Sequence, residues 1–396
     1  MEKQRPGDRE DGTHLRPGSL QLRDEAELLD APFRLRVLTP LAAMLLVTLI
    51  DYFSGPDAYL ASLMSVVPPL AALTLYPLEL VLVSSVGMVL LVILSRYDGL
   101  GSVHDLRLYH GTLVAYAALT LAGAVISYLR VARTRQLVAV STVAEAAQRA
   151  LLRPPEPQVG GIRNAVRYVS AADSAQIGGD LYAVLDTPYG VRAIIGDVRG
   201  KGLGAVRTSA VVLGAFREAA YDEAELTGVA MRLESSVSRH VPTDEFTTAL
   251  LVGFGAPDSV ELLHLGHVAP LLIAADGTVR TIDPPDPWVP LGLGALAVGK
   301  PCPWTVPFRP GEVLLLCTDG VIEARAKTDG AFYPLAERVP QLVADCGSDL
   351  ETAVARVYAD LLRHTGGRLR DDAVLLLLAR AEPSAPGPSQ QPGRIG

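Results

Sequence analysis

The chain has 396 residues, and its 35 basic and 43 acidic side chains leave a formal net charge of −8. Nucleic-acid-binding proteins usually carry a basic face, so this charge balance argues against nucleic acid as a partner. Hydrophobic residues make up 49% of the sequence and the mean hydropathy is +0.29, which indicates a concentrated apolar region. Cys302, Cys317 and Cys346 have no CxxC spacing, which favours a reducing compartment over a disulfide framework or a thiolate zinc site.

The first third of the chain reads as a tail followed by membrane-spanning helices. Residues 1–32 mix charges with proline and glycine and are predicted to form a disordered tail. Residues 33–130 contain four runs without Asp, Glu, Lys or Arg that approach the roughly 17–25 residues needed to span a bilayer. These runs are Val37–Ile50, Ala58–Leu78, Leu80–Ser95 and Leu108–Leu129.

Four apolar runs predict a transmembrane region of about four helices, because buried core helices of a soluble protein would need a polar face. Only Glu79 and the Tyr76-Pro77 turn separate the second and third runs, so a three-span arrangement or a re-entrant segment stays open. Basic residues flank the first and last runs, at Arg34, Arg36, Arg130, Arg133 and Arg135. The positive-inside rule then predicts a multi-pass protein of the cell membrane, with both ends and everything after Arg130 in the cytoplasm.

Residues 131–158 are predicted to form a linker. Composition favours a helix over Val131–Leu152, which stops before Pro154 and Pro155 because proline cannot continue a helix. Two heptads of apolar residues leave both a homodimer seam and a simple connecting helix open. The a and d positions are Leu137, Val140, Ala144, Ala147 and Leu151.

Residues 159–380 alternate strand-like and helix-like patterns. The predicted strands are Ala165–Ser170, Leu181–Leu185, Val191–Gly196, Thr247–Phe254, Val260–Leu265, Pro270–Ala274, Val313–Cys317 and Ala373–Leu378. The predicted helices are Ala205–Ala220, Leu226–His240, Leu335–Ala344 and Leu350–His364. Short connections between strands indicate an α+β domain in which antiparallel sheets are flanked by helices. Residues 381–396 are predicted to form a second disordered tail.

Acidic residues lie at several of the predicted strand ends, namely Asp180, Asp197, Asp319 and the pair Asp371-Asp372. Each one alone is typical of a turn. Together they match the oxygen-rich sites that magnesium and manganese prefer. No HExxH or HxH pattern indicates zinc, and the glycine-rich run Gly196–Gly202 lacks the GxxxxGK[ST] of a Walker A loop.

Seven sequence blocks in a fixed order carry a resemblance to a known family. They are IGGDLY (Ile177–Tyr182), GDVRGKG (Gly196–Gly202), FTTALL (Phe246–Leu251), LGHVAPLL (Leu265–Leu272), PLGLG (Pro290–Gly294), PGEVLLLCTDGVIEAR (Pro310–Arg325) and DDAVLLLL (Asp371–Leu378). In order and spacing they resemble the SpoIIE-like branch of the metal-dependent serine/threonine protein phosphatases (PPM, type 2C).

The resemblance implies a β-sandwich between helical layers with a centre for two Mn²⁺ or Mg²⁺ ions. Asp197 would bridge both ions and the Val198 carbonyl would complete one coordination shell. Asp319 and Asp371 would bind the other ion, and Asp180 would hold a metal or its water. These four carboxylates are the expected catalytic residues. The implied reaction is hydrolysis of phosphoserine or phosphothreonine on a cytosolic phosphoprotein, with a STAS-type anti-sigma-factor antagonist as one candidate.

The sequence departs from the family pattern without losing an expected ligand. Lys201 stands where many members have histidine, Ala183 replaces an acid, and Val374 stands where threonine is frequent. His264 to His267 read HLGH where NAGH is common, and His267 is expected to cap loop backbone rather than act as an acid.

Two other functional classes stay open at this stage. A membrane sensor with a non-catalytic, phosphatase-like binding scaffold is one, although a degenerate domain should have lost some carboxylates. A transporter is the other, although its pathway should contain intramembrane charges and Glu79 is the main candidate, expected in a turn.

Overall fold

The computed structural model describes residues 33–55, 60–98, 105–169, 178–343 and 349–381. The side chains of residues 105–106 and 137–145 lie outside that description, as do nearly all of both predicted tails, Cys346 and most of the predicted heptad positions. The chain divides into two compact units, Met1–Val140 and Ser141–Gly396.

The first unit consists of helices. They are α1 (Phe33–Arg36), α2 (Leu38–Ser54), a 3₁₀ helix (Leu60–Val66) continued by α3 (Val67–Thr74), α4 (Pro77–Tyr97) and α5 (Asp105–Leu151), whose last residues belong to the second unit. Among the described residues, three segments are long and apolar enough to cross a membrane, namely Arg34–Ser54, Pro77–Tyr97 and Arg107–Gln136. Large apolar side chains such as Leu45, Val89 and Leu121 are exposed on them. Apolar patches of this kind mark interaction surfaces for proteins or membranes, and the backbone polar groups in the interior of each helix are paired within it.

The second apolar run does not form the single long helix that the sequence predicted. It forms the shorter segment Leu60–Thr74, and α4 begins at Pro77, where proline's missing N–H is no loss at the first position of a helix. Glu79 lies in the first turn of α4 and not in a turn between runs. Its carboxylate accepts a hydrogen bond from the Tyr76 N–H at 3.0 Å and pairs with Arg36 at 2.9 Å.

Contacts at both ends of these segments define their directions. The Arg36–Glu79 pair joins the start of α2 to the start of α4, and stacked rings of Tyr52 and Tyr97, 6.1 Å apart, join their ends. The two helices therefore run in the same direction. The Thr74 hydroxyl donates to the Arg36 carbonyl at 3.0 Å, so Leu60–Thr74 finishes at the end where α2 and α4 start.

Helix α5 packs along the same bundle. Its Tyr116 hydroxyl donates to the Ser84 carbonyl at 2.9 Å, and its Ser127 hydroxyl donates to the Leu75 carbonyl at 2.7 Å. Arg130 also donates to the Leu75 carbonyl, at 3.0 Å. The basic end of α5 therefore lies beside the break between α3 and α4.

The second unit is built on two antiparallel sheets. The six-stranded sheet has the order β1-β2-β11-β10-β7-β8, and the five-stranded sheet has the order β3-β4-β5-β6-β9. The strands are β1 (Gln158–Val159), β2 (Ile162–Val169), β3 (Leu181–Thr187), β4 (Gly190–Val198), β5 (Thr247–Phe254), β6 (Ser259–Leu265), β7 (Leu271–Ile273), β8 (Val279–Thr281), β9 (Trp304–Pro307), β10 (Val313–Cys317) and β11 (Ala373–Arg380).

Helices cover the sheets. The long ones are α6 (Leu203–Asp222) and α7 (Leu226–His240) on the five-stranded sheet, and α9 (Leu335–Val343) and α10 (Leu350–Thr365) on the six-stranded sheet. Short helical turns are the 3₁₀ helix Gly294–Leu296 and α8 (Asp319–Ile322). Successive residues of β10 alternate between two cores, with Leu314 in the core shared with the other sheet and Leu315 in the core under α9 and α10. Because both faces are covered, β10 is apolar throughout and β11 is apolar up to its last residue, Arg380.

The predicted fold class is confirmed, with apolar N-terminal helices followed by an α+β domain of antiparallel sheets. Strands β1, β8 and β9 were not predicted because two to four residues give no measurable alternation. The predicted linker helix is not a separate element but the last part of α5, which ends at Leu151.

Candidate metal centre

The two sheets bring four aspartates to one edge of the sandwich. Asp180 directly precedes β3 and Asp197 lies in β4, where Leu181 pairs with Gly196. Asp319 and Asp371 flank β10 and β11, the central strands of the other sheet. One carboxylate oxygen each of Asp180, Asp197 and Asp319 lies within 4.8 Å of the other two. The three residues therefore fit a metal ion held by oxygen ligands.

Close backbone approaches explain the glycines of two motifs. A Cβ at Gly179 would lie 2.5 Å from the carbonyl oxygen of Val198, the carbonyl expected to be a ligand. A Cβ at Gly320 would collide with the carbonyl oxygen of Asp372. Both positions therefore require glycine, because the chains that carry the aspartates pass each other at backbone contact distance.

Thr318 joins the two sheets at this edge. Its hydroxyl donates to Asp180 Oδ2 at 2.7 Å and accepts from the Val374 N–H at 3.0 Å. The residue is fully buried. One hydroxyl thus fixes the carboxylate of the five-stranded sheet to the backbone of the six-stranded sheet.

The remaining acidic pair, Asp371-Asp372, divides between two roles. The buried Asp372 accepts hydrogen bonds from the Tyr168 hydroxyl at 2.6 Å and from the Gly178 N–H at 3.1 Å, so it holds the loop before Asp180. Asp371 lies at the surface, where its Oδ1 is 2.7 Å from Nζ of Lys201. The structure therefore separates Asp371 from the three clustered aspartates and gives it a cationic partner.

Burial and mutual repulsion raise the pKa of every clustered aspartate. Burial, followed by the charge of Asp197, holds the pKa of Asp180 well above its usual range, against the hydrogen bond from Thr318. Burial, followed by the charge of Asp319, raises the pKa of Asp197 to about 7. Burial and the charge of Asp371 raise the pKa of Asp319, although Lys201 opposes this. Such a cluster is stabilised by binding either protons or a cation.

Two side chains on helices hold the loop that carries Asp180. The amide of Gln148, near the end of α5, donates to the Gly178 carbonyl at 3.1 Å. The hydroxyl of Ser209 on α6 donates to the Gly179 carbonyl at 3.0 Å. The position of Asp180 therefore depends on both helices.

The sequence of this unit matches a known family. Residues 187–381 match the family model of stage II sporulation protein E (SpoIIE). The domain belongs to the SpoIIE-like branch of the PPM phosphatases. The match begins after Asp180, so that residue is placed at the site by the structure and not by the family model.

Two solved structures share the fold of the SpoIIE-like domain. The RsbU and RsbW domains of Rv1364c from Mycobacterium tuberculosis superpose with a TM-score of 0.50 and 24% identity, covering 57% of this chain and 62% of that one. The SiaA-PP2C domain of Pseudomonas aeruginosa superposes with a TM-score of 0.51 and 17% identity, covering 63% and 99%. The chain thus spans less than two thirds of the first structure, and both likenesses identify the PP2C-type fold.

His267 is buried, and its ring interacts with a threonine hydroxyl as well as with backbone. Its buried ring bonds through Nδ1 to the Thr248 hydroxyl at 3.0 Å, and that hydroxyl contacts the Asp197 carbonyl at 3.3 Å. Burial, with the neighbouring His264, lowers the pKa of His267 to about 3. The ring is therefore neutral at physiological pH, and through Thr248 it contacts β4, the strand that carries Asp197.

The buried thiol of Cys317 lies beside the aspartates, but it is not a nucleophile. Burial, followed by the charge of Asp319, raises its pKa to about 12. A thiol with such a pKa is protonated at neutral pH and unreactive.

Sequence reasoning found the four aspartates but missed the groups that position them. These are Thr318, Tyr168, Gln148, Ser209 and Thr248. Only Thr318 had a usable signal, since it is the polar residue between an apolar strand and Asp319. Thr248 lies within the FTTALL block, where it reads as an ordinary strand residue, and Tyr168, Gln148 and Ser209 lie outside the seven blocks.

Proposed function

We propose that the protein is a membrane-anchored, metal-dependent phosphatase that hydrolyses phosphoserine or phosphothreonine on a cytosolic regulatory protein. The observation that supports this proposal most is that carboxylate oxygens of Asp180, Asp197 and Asp319 lie within 4.8 Å of one another at the edge of a PP2C-type sandwich. Their raised pKa values indicate an uncompensated cluster, and the donor set contains carboxylates without histidine or cysteine.

In this proposal, Mn²⁺ or Mg²⁺ ions are held by Asp180, Asp197, Asp319 and Asp371 together with the Val198 carbonyl. Oxygen-only donors suit these hard cations. When bound, two such ions supply activated water near neutral pH and neutralise charge that develops on a phosphoryl group.

The protein's own residues orient and shield this site. Thr318 fixes Asp180 through its hydroxyl, and the backbone contact at Gly179 sets the distance between Asp180 and the Val198 carbonyl. No covalent enzyme intermediate is required, and Cys317, whose thiol lies beside the aspartates, is buried and protonated. We therefore assign catalysis to the carboxylates.

Four membrane crossings are supported by the helix contacts in the first unit. At 2.0 and 1.5 Å per residue, the combined 3₁₀ and α segment Leu60–Thr74 rises about 26 Å, close to the length of α2 and to a bilayer core of about 30 Å. An even number of crossings leaves Arg34 and Arg130 on one side. The positive-inside rule assigns that side, and the domain that follows Arg130, to the cytoplasm.

The proposed substrate class is a phosphorylated regulatory protein, with a STAS-type anti-sigma-factor antagonist as the first candidate. An RsbU domain shares its chain with an RsbW domain in the Mycobacterium tuberculosis protein. The presence of both domains in one chain supports a phosphorylated regulatory protein, rather than a phosphorylated metabolite, as the substrate. The net charge of −8 indicates that phosphate affinity comes from bound metal.

Full-length protein in lipid nanodiscs, assayed for phosphate release from a phosphoserine peptide, tests this function. Activity with Mn²⁺ should disappear in EDTA and fall at least about 100-fold in Asp197→Asn. Asp283→Asn, which removes an exposed carboxylate outside the site, should leave the rate unchanged. Manganese binding without turnover of any phosphopeptide would favour the scaffold function, and turnover unaffected by EDTA would refute the proposal.

A further inference from the structure

Lys201 occupies an unusual place beside the metal centre. It lies between Gly200 (φ 111°) and Gly202 (φ 87°), and Gly202 directly precedes Leu203, the first residue of α6. Other residues rarely adopt such φ values, so the two glycines determine where the lysine points. Its ammonium nitrogen is 2.7 Å from Asp371 Oδ1, and its side chain is 31% exposed.

The dipole of α6 does not favour a lysine at this position. A cation at a helix N-terminus faces the positive end of the helix dipole and is disfavoured there. The compensation comes from carboxylates, since Lys201 pairs with Asp371 and its charge also opposes the raised pKa of Asp319. The ammonium thus faces the two carboxylates that the family resemblance assigns to one ion.

We propose that the Lys201 ammonium is a built-in competitor for one of the two metal positions, pairing with Asp371 until a divalent ion displaces it. The inference rests on the proposed metal-dependent function and deepens it. The ion that the resemblance assigns to Asp197 and the Val198 carbonyl, neither of which pairs with Lys201, would then bind tightly. The other binds weakly because it must displace the ammonium and enter against its charge.

This competition makes the second ion the one that responds to metal concentration. Because Lys201 and Asp371 are both partly exposed, solvent screens their interaction and the effect is moderate. We expect removal of the ammonium to strengthen the weaker manganese site about tenfold.

The test uses full-length protein in nanodiscs and counts free Mn²⁺ by electron paramagnetic resonance during titration. Lys201→Met and Lys201→Gln both remove the competing charge. Lys201→Arg retains it, and Lys300→Met removes one exposed positive charge elsewhere. Thermal unfolding in EDTA, followed by tryptophan fluorescence, shows that each variant is folded.

Wild-type protein, Lys201→Arg and Lys300→Met should show one tight and one weak site. Lys201→Met and Lys201→Gln should show the weak site strengthened about tenfold and a larger manganese-induced rise in the unfolding midpoint. In an Asp371→Asn background, Lys201→Met should have no effect on the remaining site.

If folded Lys201→Met and Lys201→Gln both bind two ions with affinities within twofold of the wild-type values, the inference is overturned and the proposed function is not. An equal gain in Lys300→Met would also overturn it, because general electrostatics would then account for the result. Failure of every variant, wild type included, to bind manganese would overturn the proposed phosphatase function and the inference with it.

Discussion

The hydroxyl of Thr318 should contribute more to stability than any other single hydroxyl at the site, because it connects the two sheets. Thr318→Val keeps the shape of the side chain and removes two hydrogen bonds. One was donated to Asp180 Oδ2 at 2.7 Å and the other was accepted from the Val374 N–H at 3.0 Å. Neither group can turn to bulk water, since both lie in the buried edge.

The magnitude follows from these two losses. The hydrogen bond from the Thr318 hydroxyl to the Asp180 carboxyl contributes about 1 kcal/mol. The Val374 N–H is left unpaired and buried, which costs about 1–3 kcal/mol. We expect a total near 3 kcal/mol, a large part of the ~5–15 kcal/mol that stabilises a domain.

Urea unfolding in EDTA measures this loss. Trp288 and Trp304 are the only tryptophans in the chain, so their fluorescence reports on the SpoIIE-like domain alone. Thr318→Ser is the matched control, because it keeps the hydroxyl and loses one buried methyl group worth about 1 kcal/mol. Equal urea midpoints for Thr318→Val and Thr318→Ser would refute the assignment of a sheet-connecting role to the hydroxyl.

Three further predictions concern titration, loop support and the membrane unit. The metal-free domain should lose stability as pH rises from about 4 to 7, because the raised pKa of Asp197 makes the folded state bind more protons than the unfolded state. Urea midpoints measured across this range should fall. Asp197→Asn should make the urea midpoint depend less on pH. Gln148→Leu removes the hydrogen bond to the Gly178 carbonyl and should weaken manganese binding about threefold to tenfold in a titration, so an unchanged affinity would contradict the supporting role. Glu79→Gln leaves the buried Arg36 charge without its carboxylate partner. It should lower the thermal aggregation midpoint in detergent by several degrees. An unchanged midpoint would show that the Arg36–Glu79 pair does not stabilise the end of the bundle where α2 and α4 start.

The sequence predicted the grouping of aspartates because they stand at strand ends. Asp319 follows an uninterrupted apolar strand, and Asp371 precedes another. Such transitions are visible in a single sequence, since a buried strand must end where charge begins. The pairing of β2 with β11, which places Ile162 opposite Arg380, had no local signal. Antiparallel partners so distant in sequence are fixed by the complete core.

The Lys201–Asp371 ion pair was equally inaccessible to sequence reasoning. Lysine at a helix start reads as a solvated charge, and only the fold shows that Asp371 lies beside it. The membrane unit illustrates a further limit. The charge-free run Ala58–Leu78 predicted one span. Hydropathy does not show that part of this run forms a 3₁₀ helix, whose larger rise per residue brings a segment of only fifteen residues closer to the thickness of a membrane. The proline at position 77 was the available signal for the break.

Both sheets supply carboxylates to the metal centre, and this determines when the centre can exist during synthesis. Asp180 and Asp197 emerge from the ribosome long before Asp371, and β11 is the last strand of the domain and lies at the middle of its sheet. A nascent chain that has not inserted β11 therefore has neither a complete six-stranded sheet nor a complete ligand set. Under the proposed function, metal would therefore bind only after β11 has paired, and a truncated or stalled chain would lack hydrolase activity.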